Sequence, residues 1–218
     1  MDPDFQVSDD PAARTAELLI ETSGQLCITG GSSPRTAYER AAAGRDDWSG
    51  VEVWFTDERC VPPEHEHSNY RMVREALLDR GTGAVVHRMQ GELGPADGAA
   101  AYEREYDAAG RPAFDLILLG LGPDAHLCSL FPGDPALDER ERAVVGVETP
   151  GMAPLLPRIT FTLPVVNASR QIVFLVTGED KADAVARAFS GRPDPMAPAS
   201  LVEGDVTVLL DEGAARRL

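Results

Sequence analysis

The chain has 218 residues and a formal charge of −16, from 36 acidic and 20 basic side chains. Its hydrophobic fraction of 43% is ordinary for a globular protein, and no apolar run is long enough to cross a bilayer. The negative field argues against nucleic acid or anionic membrane as a partner, so an anionic ligand needs a local cluster of basic groups.

Apolar residues alternate between helical and strand periods along nearly the whole chain, with turn residues between the segments. In chain order, the predicted elements are a helix at 11–22, a strand at 26–29, a helix at 34–43, a strand at 51–56, a helix at 69–80, a strand at 84–89, a helix at 96–108, strands at 114–120, 143–147, 158–162 and 171–177, a helix at 179–189 and a strand at 206–210. This alternation predicts an α/β fold, a three-layer Rossmann-like domain whose mostly parallel sheet has helices on both faces. Ligands of such sheets bind beyond the carboxyl ends of the strands, so the loops there are the candidate sites.

The organisation of the chain is expected to be simple. No segment has the composition of a linker, so residues 1–218 are predicted to form a single domain. The first residues, Met1-Asp2-Pro3-Asp4, are acidic, whereas a secretory signal begins with basic residues and an apolar run. We therefore expect the protein to be cytoplasmic.

Cysteine and histidine spacing gives no metal site or disulfide framework. Cys27, Cys60 and Cys128 lack CxxC spacing, and their odd number indicates reduced thiols. His65 and His67 lie in an acidic, proline-rich loop with no evident third ligand, so we expect them to be solvated. No metal or cofactor is predicted.

The first candidate loop, Thr29-Gly30-Gly31-Ser32-Ser33-Pro34, joins a predicted strand to a predicted helix. Glycine permits close backbone approach, and the N–H groups at a helix N-terminus favour phosphate. A plain turn can have the same composition, and the loop has neither the P-loop lysine nor the dinucleotide glycine pattern. Phosphate binding by this loop therefore needs support from other segments.

The second candidate loop, Thr56-Asp57-Glu58-Arg59, ends a predicted strand with two carboxylates and a guanidinium. A solvated charge cluster is the alternative interpretation. Carboxylates beside a cation can orient a substrate or an imidazole, and Arg59 can face a phosphate or a developing oxyanion. Asn69 and Arg71, at the start of the next predicted helix, are expected to support the same site.

The third candidate loop has Asp124 two residues before His126, directly after the most apolar predicted strand. Imidazole is suited to take a proton from water near neutral pH, although a histidine in a turn is often structural. A fourth loop contains Lys181, the only lysine of the chain. Its retention among many arginines indicates either a need for a compact cation, such as a phosphate ligand, or chance.

These segments together resemble the 6-phosphogluconolactonase family, whose fold is similar to that of glucosamine-6-phosphate deaminases. The resemblance covers nearly the whole chain, and the matching segments occur in the same order as in the family. The segments that carry it are the glycine loop at 29–34, Trp54-Phe55-Thr56-Asp57-Glu58-Arg59-Cys60-Val61-Pro62, Ser68-Asn69-Tyr70-Arg71-Met72, Gly120-Leu121-Gly122-Pro123-Asp124-Ala125-His126-Leu127-Cys128-Ser129-Leu130-Phe131-Pro132-Gly133, Arg158-Ile159-Thr160 and 176–182.

The resemblance implies hydrolysis of a phosphorylated sugar lactone, with a role for each site residue. We expect a monomer that needs no metal, and an oligomer is the alternative. His126 would activate the attacking water, Arg59 would lie near the lactone, and Asp57 and Asp124 would orient these groups. The residues that would bind the substrate and its phosphate are Gly30, Gly31, Ser32, Asn69, Arg158 and Lys181.

The sequence departs from the family pattern beside the histidine. Ala125 stands where the family usually has glycine, and Leu127-Cys128 stands where it usually has a small polar residue and alanine. If residue 125 needs a positive φ, alanine strains the backbone there. A sugar-phosphate-binding regulator with an impaired site is therefore one alternative. The other, a deaminase or isomerase, resembles a pattern with Phe-Asn-Glu soon after the histidine, where this chain has Ser129-Leu130-Phe131-Pro132.

Overall fold

Seven parallel strands form the main sheet of the computed structural model, which describes residues 3–81 and 83–218. The strands of this sheet are β1 (Asp4–Val7), β2 (Gly24–Ile28), β3 (Val51–Phe55), β5 (Val85–His87), β6 (Leu116–Leu119), β9 (Ile172–Val176) and β10 (Val206–Leu210). Their spatial order is β1-β10-β9-β6-β2-β3-β5, and every neighbouring pair is parallel. After β2 the chain proceeds to one side of the sheet, and from β6 it proceeds to the other. The boundary between β2 and β6 is therefore the topological switch point, where ligands of such sheets bind.

A second, three-stranded antiparallel sheet lies beside the first. Its strands are β4 (Asp57–Arg59), β7 (Val144–Val147) and β8 (Arg158–Phe161). They are ordered β4-β8-β7, and the β4–β8 register sets Asp57 opposite Thr160 and Arg59 opposite Arg158. This small sheet thus brings two sequence segments with predicted site residues side by side.

Helices connect the strands and cover the sheet. They are α1 (Pro11–Glu21), α2 (Ser32–Gly44), α3 (Asn69–Val73), α4 (Pro95–Ala108), α5 (Leu163–Asn167) and α6 (Ala182–Phe189). The Asp10 side chain caps α1 by accepting from the Ala13 amide at 3.2 Å, and Pro11 occupies the position where a missing N–H costs nothing. Within the described residues, no helix is long and apolar enough to cross a membrane.

An aromatic cluster joins α4 to the sheet. The fully buried Trp54 ring of β3 packs edge-on against Tyr102 and Tyr106 of α4, with centroids 5.7 and 5.5 Å apart. The Trp54 indole also stacks on His87 at 3.8 Å and donates to the Gln25 side chain at 2.7 Å. Burial of rings this large contributes strongly to the core.

The predicted fold class is confirmed, and the strand at 114–120 is β6, the middle strand of the seven. Most predicted bounds differ from the structure by one or two residues, and two predicted helices also change type. The strand at 51–56 ends at Phe55, the helix at 69–80 is α3 followed by a π-helical turn at Arg74–Leu78, and the helix at 179–189 begins as a 3-10 turn. The prediction that no export signal is present rests partly on Met1 and Asp2, which lie outside the described residues.

Candidate active site

A cleft of about 270 Å³ opens at the switch point between β2 and β6. Almost all predicted site residues line it, although they come from distant parts of the chain. These lining residues are Gly30, Gly31, Ser32, Asp57, Arg59, Asn69, His126, Arg158 and Lys181. The remaining one, Asp124, lies behind His126 and contacts it.

His126 and Asp124 form a close acid–base pair at the cleft. The imidazole Nδ1 lies 2.5 Å from Asp124 Oδ1, which also accepts the His126 backbone N–H at 3.1 Å. Burial raises the pKa of the Asp124 carboxyl, but the hydrogen bond and charge of His126 outweigh it, so this pKa is lowered overall. An ionised carboxylate at Nδ1 assigns the proton to that nitrogen and leaves Nε2 as the acceptor.

The turn that holds His126 requires unusual backbone geometry. A β-carbon on Gly122 would lie 2.0 Å from His126 Nδ1, so only glycine leaves room for the imidazole there. Ala125 has φ of 67°, and Cys128 has φ of 51°. Position 125 therefore does need a positive φ, and alanine adopts it at a cost of about 1–2 kcal/mol.

We expect Ala125→Gly to change the free energy of unfolding by no more than about 1 kcal/mol. Relief of backbone strain, about 1–2 kcal/mol, is offset by the greater freedom of glycine in the unfolded chain and by loss of a fully buried methyl group, together of similar size. Ala125→Val, which is β-branched, is expected to cost about 3 kcal/mol or more. Urea unfolding of both variants measures this, and a stabilisation above about 2 kcal/mol in the glycine variant contradicts it.

Asp57 and Asn69 belong to a buried network between the loops. The Asn69 amide donates to the Asp57 carbonyl at 2.8 Å, and the Ser129 hydroxyl donates to Asp57 Oδ2 at 2.6 Å. A β-carbon on Gly30 would lie 1.9 Å from Asn69 Oδ1, so the glycine loop packs directly on this amide. The network therefore connects three of the predicted site loops.

Glu58 and Arg71, beside the predicted site residues, do not line the cleft. Glu58 is buried and accepts the backbone N–H groups of Asn69 and Tyr70, at 2.7 and 2.8 Å, at the start of α3. Burial nevertheless raises its pKa. Arg71 pairs with Glu75 at 2.9 Å, so any support that it gives to the site is indirect, through α3. Both residues stabilise the helix that presents Asn69.

Arg59 is anchored at one nitrogen and unpaired at another. Its Nη1 donates to the His67 carbonyl at 2.6 Å, whereas its buried Nε has no hydrogen-bond partner among the described residues. His65 and His67, which we expected to be solvated, are partly buried. The His67 carbonyl accepts the bond from Arg59, and the His67 backbone N–H donates to His65 Nδ1 at 3.1 Å. The Nε atom itself is inaccessible to solvent, although other parts of Arg59 line the cleft.

Arg158 joins the cleft to the loop before β8. Its Nε donates to the Leu156 carbonyl at 3.0 Å, and its Nη2 donates to the Pro154 carbonyl at 2.9 Å. Burial lowers its pKa, while the Asp57 charge acts in the opposite direction. These bonds fix the guanidinium and hold the neighbouring Met152 and Ala153 against the cleft.

The other end of the cleft gathers small donors and one ammonium group. The Ser33 and Thr177 hydroxyls are 2.9 Å apart, although 144 positions separate them in the chain. Lys181 lies in the 3-10 turn after β9, and its ammonium has no hydrogen-bond or ion-pair partner among the described residues. Together with the N-terminus of α2, these groups form an environment suited to a phosphate.

Several residues of the site were not predicted from the sequence, or were given no role. Ser129 and Thr177 make contacts between distant segments, which spacing along the chain cannot indicate. Cys128 also lines the cleft, but burial raises its pKa well above the ordinary value and keeps the thiol protonated. Among the described residues, no group of three or more His, Cys, Asp or Glu side chains is arranged to bind a metal ion.

The chain is similar to a known family and to several named relatives. Residues 7–210 match the family described as glucosamine-6-phosphate isomerases/6-phosphogluconolactonase. A 6-phosphogluconolactonase from Synechocystis is 39% identical over 216 residues, covering 94% of this chain and 88% of the relative. One from Streptomyces coelicolor is 36% identical over 234 residues, covering 98% and 86%.

Solved structures give the same result. A 6-phosphogluconolactonase from Thermotoga maritima superposes with a TM-score of 0.84 and 28% identity, over 96% of this chain and 99% of that one. A monomeric glucosamine-6-phosphate deaminase, 18% identical, shares the fold with a TM-score of 0.83. The chain therefore belongs to the glucosamine-6-phosphate isomerase/6-phosphogluconolactonase family.

Proposed function

We propose that this protein hydrolyses 6-phospho-D-glucono-1,5-lactone to 6-phospho-D-gluconate in the oxidative pentose phosphate pathway. The observation that carries the proposal is the position of His126, held by Asp124, in the same cleft as the glycine loop and Lys181. Relatives that share more than a third of their residues with this chain are named 6-phosphogluconolactonase. A base and a phosphate-binding end in one cleft are what hydrolysis of a phosphorylated lactone needs.

The chemical step needs a base and a stabilised oxyanion. His126 Nε2 takes a proton from water as the water oxygen attacks the lactone carbonyl, and Asp124 stabilises the imidazolium that forms. Arg59, which lines the same cleft, faces the oxygen on which negative charge develops. The C1–O5 bond then breaks, and O5 receives the proton from His126, which gives the acid product and restores the base. Asp57 orients these groups from behind.

Substrate binding uses the other end of the cleft. The backbone N–H groups of Gly30, Gly31 and Ser32 face the phosphate at the N-terminus of α2. Lys181 at this end, and Arg158 on the strand beside Arg59, supply the positive charge that the protein's overall charge of −16 makes necessary. Asn69, between Gly30 and Asp57, sets the distance from the phosphate end to the lactone end.

The test is consumption of freshly prepared 6-phosphogluconolactone by the purified protein without added metal. We expect a rate far above spontaneous hydrolysis, and a much lower kcat/KM for gluconolactone without the phosphate. Glucosamine 6-phosphate is the matched substrate for the deaminase alternative, and we expect no ammonia release from it. Binding of 6-phosphogluconate without lactone turnover would support the regulator alternative instead.

Lys181→Met is expected to raise KM by about tenfold or more while changing kcat little, because the ammonium contacts a group that does not react. Steady-state kinetics with the phosphorylated lactone measures this. Lys181→Arg is the matched control, which keeps the charge but not the compact shape. An unchanged KM in the methionine variant contradicts the phosphate role.

Further features of the proposal concern the protein as a whole. We propose that residues 1–218 act as one domain, as a monomer, without a cofactor, in the cytoplasm. The thiols of Cys27, Cys60 and Cys128 are unpaired, which suits a reducing compartment. Size-exclusion chromatography with light scattering tests the monomer directly.

A further inference from the structure

Ser129 is a buried hydroxyl that belongs to the His126 loop but contacts a different part of the fold. Its exposed fraction is 0%, and its Oγ donates to Asp57 Oδ2 at 2.6 Å. Its backbone N–H donates to Thr160 Oγ1 at 3.2 Å. The residue is thus attached at two points, one through its side chain and one through its main chain.

The two attachment points are neighbours in the small sheet. Asp57 of β4 and Thr160 of β8 are directly opposite in the antiparallel register. Residues Leu127–Leu130 form a tight turn, in which the Leu130 N–H donates to the Leu127 carbonyl at 2.9 Å. The positive φ of Cys128, 51°, lies within this turn, directly before Ser129. The turn that follows His126 is therefore bound to the sheet that presents Arg59 and Arg158.

We propose that Ser129 is a positioning residue that sets the distance and orientation of His126 relative to Arg59. The inference rests on the proposed function, in which these two side chains act on one lactone group. Ser129 is three residues after His126, and its partner Asp57 is two residues before Arg59. Ser129 thus connects the loop of the base to the strand of the guanidinium.

Other bonds hold the His126 loop but leave its distance to Arg59 undetermined. The Gly122 N–H donates to the His126 carbonyl, and the Ala199 N–H donates to the Ala125 carbonyl, both at 2.9 Å. Neither bond involves the small sheet. Among the described residues, loss of the Ser129 hydroxyl leaves the loop attached to this region through the Thr160 bond and the contact of Cys128 with Thr56, which directly precedes β4. A displacement of about 1 Å in a reacting group costs on the order of 100-fold in rate.

The test compares two pairs of substitutions, one at each attachment point. Ser129→Ala removes the hydroxyl, and Ser129→Thr retains it. Thr160→Val removes the acceptor for the Ser129 N–H with little change in shape, and Thr160→Ser retains it. For each variant we measure kcat and KM for the phosphorylated lactone, inhibition by inorganic phosphate, and the melting temperature. The kinetics are measured well below the melting temperature.

We expect Ser129→Ala to lower kcat by about 10- to 100-fold, with KM and the phosphate inhibition constant within about threefold of wild type. Thr160→Val should likewise lower kcat and leave KM and the phosphate inhibition constant nearly unchanged. The two hydroxyl-retaining variants, Ser129→Thr and Thr160→Ser, should recover most of kcat. If either Ser129 variant fails to fold, the Thr160 pair decides.

A purely structural role predicts a different pattern. The melting temperature would then fall while kcat, measured on folded protein, stays within about twofold of wild type in both hydroxyl-removing variants, and this result overturns the inference. A change in KM and phosphate inhibition as large as the change in kcat also overturns it. Absence of lactonase activity in the wild-type protein is a separate outcome, which rejects the proposed function.

Discussion

Replacement of His126 by alanine is expected to lower kcat for 6-phosphogluconolactone by about 100- to 10,000-fold, the usual contribution of a positioned base. Among the described residues of the His126 loop that line the cleft, the other ionisable side chain is Cys128. Burial raises the pKa of its thiol, so it cannot replace the imidazole as a base. KM should change little, because phosphate binding takes place at the other end of the cleft. Coupled assays at several pH values, with subtraction of spontaneous hydrolysis, measure the effect.

The control for His126→Ala is a measurement that shows the variant still folds. His126 is partly exposed at 16%, and its ring packs on Phe131 with centroids 4.6 Å apart, so alanine leaves a surface cavity rather than a hole in the core. We therefore expect the melting temperature to fall by only a few degrees. A folded alanine variant that retains a tenth or more of the wild-type kcat would eliminate His126 as the base.

Asp124→Asn is expected to lower kcat by about 10- to 1,000-fold, a smaller effect than removal of the base. The amide that replaces the carboxylate at 2.5 Å can donate to Nδ1, which favours the tautomer with the proton on Nε2. That tautomer cannot accept a proton from water at the position facing the cleft. Loss of the negative charge also removes stabilisation of the imidazolium.

The free energy of unfolding should depend more strongly on acid pH in the wild-type protein than in Asp124→Asn. The pKa of Asp124 is lowered in the folded protein, so the interactions of its carboxylate with His126 contribute to stability at neutral pH and are lost as the pH falls through that lowered value. In the asparagine variant this acid-dependent contribution is absent. Urea unfolding between neutral and strongly acid pH compares them, and an identical loss of stability in both proteins contradicts the assigned pair.

Much of the fold could be predicted because its central strands are strongly apolar. β6 and β9 are fully buried, and their sequences read as continuous apolar runs between turn residues. β1 was missed because its four residues are mostly exposed and polar at alternate positions. β4 was missed because three charged residues, Asp57-Glu58-Arg59, resemble a loop, and only pairing with the distant β8 makes them a strand.

The site was predictable in its members but not in their contacts. Glycine, histidine and the single lysine stood out because each residue type is suited to one task beside a phosphorylated ligand. The partners of Asp57 could not be predicted, since Ser129 is 72 positions away in the chain and contacts it only in the folded protein. The role of Glu58 was hidden for the same reason, because its function as a helix cap depends on where α3 begins.

The central claim is that one sugar phosphate spans the cleft, with its phosphate at the glycine loop and Lys181 and its C1 end at His126 and Arg59. A crystal structure with bound 6-phosphogluconate, the reaction product, measures this directly. We expect the phosphate oxygens within hydrogen-bond distance of the Gly31 backbone and Lys181 Nζ, and the C1 carboxylate beside His126 Nε2 and Arg59. A phosphate bound at Arg59 with the carboxylate at Lys181, or a ligand that makes no contact with His126, would contradict the account.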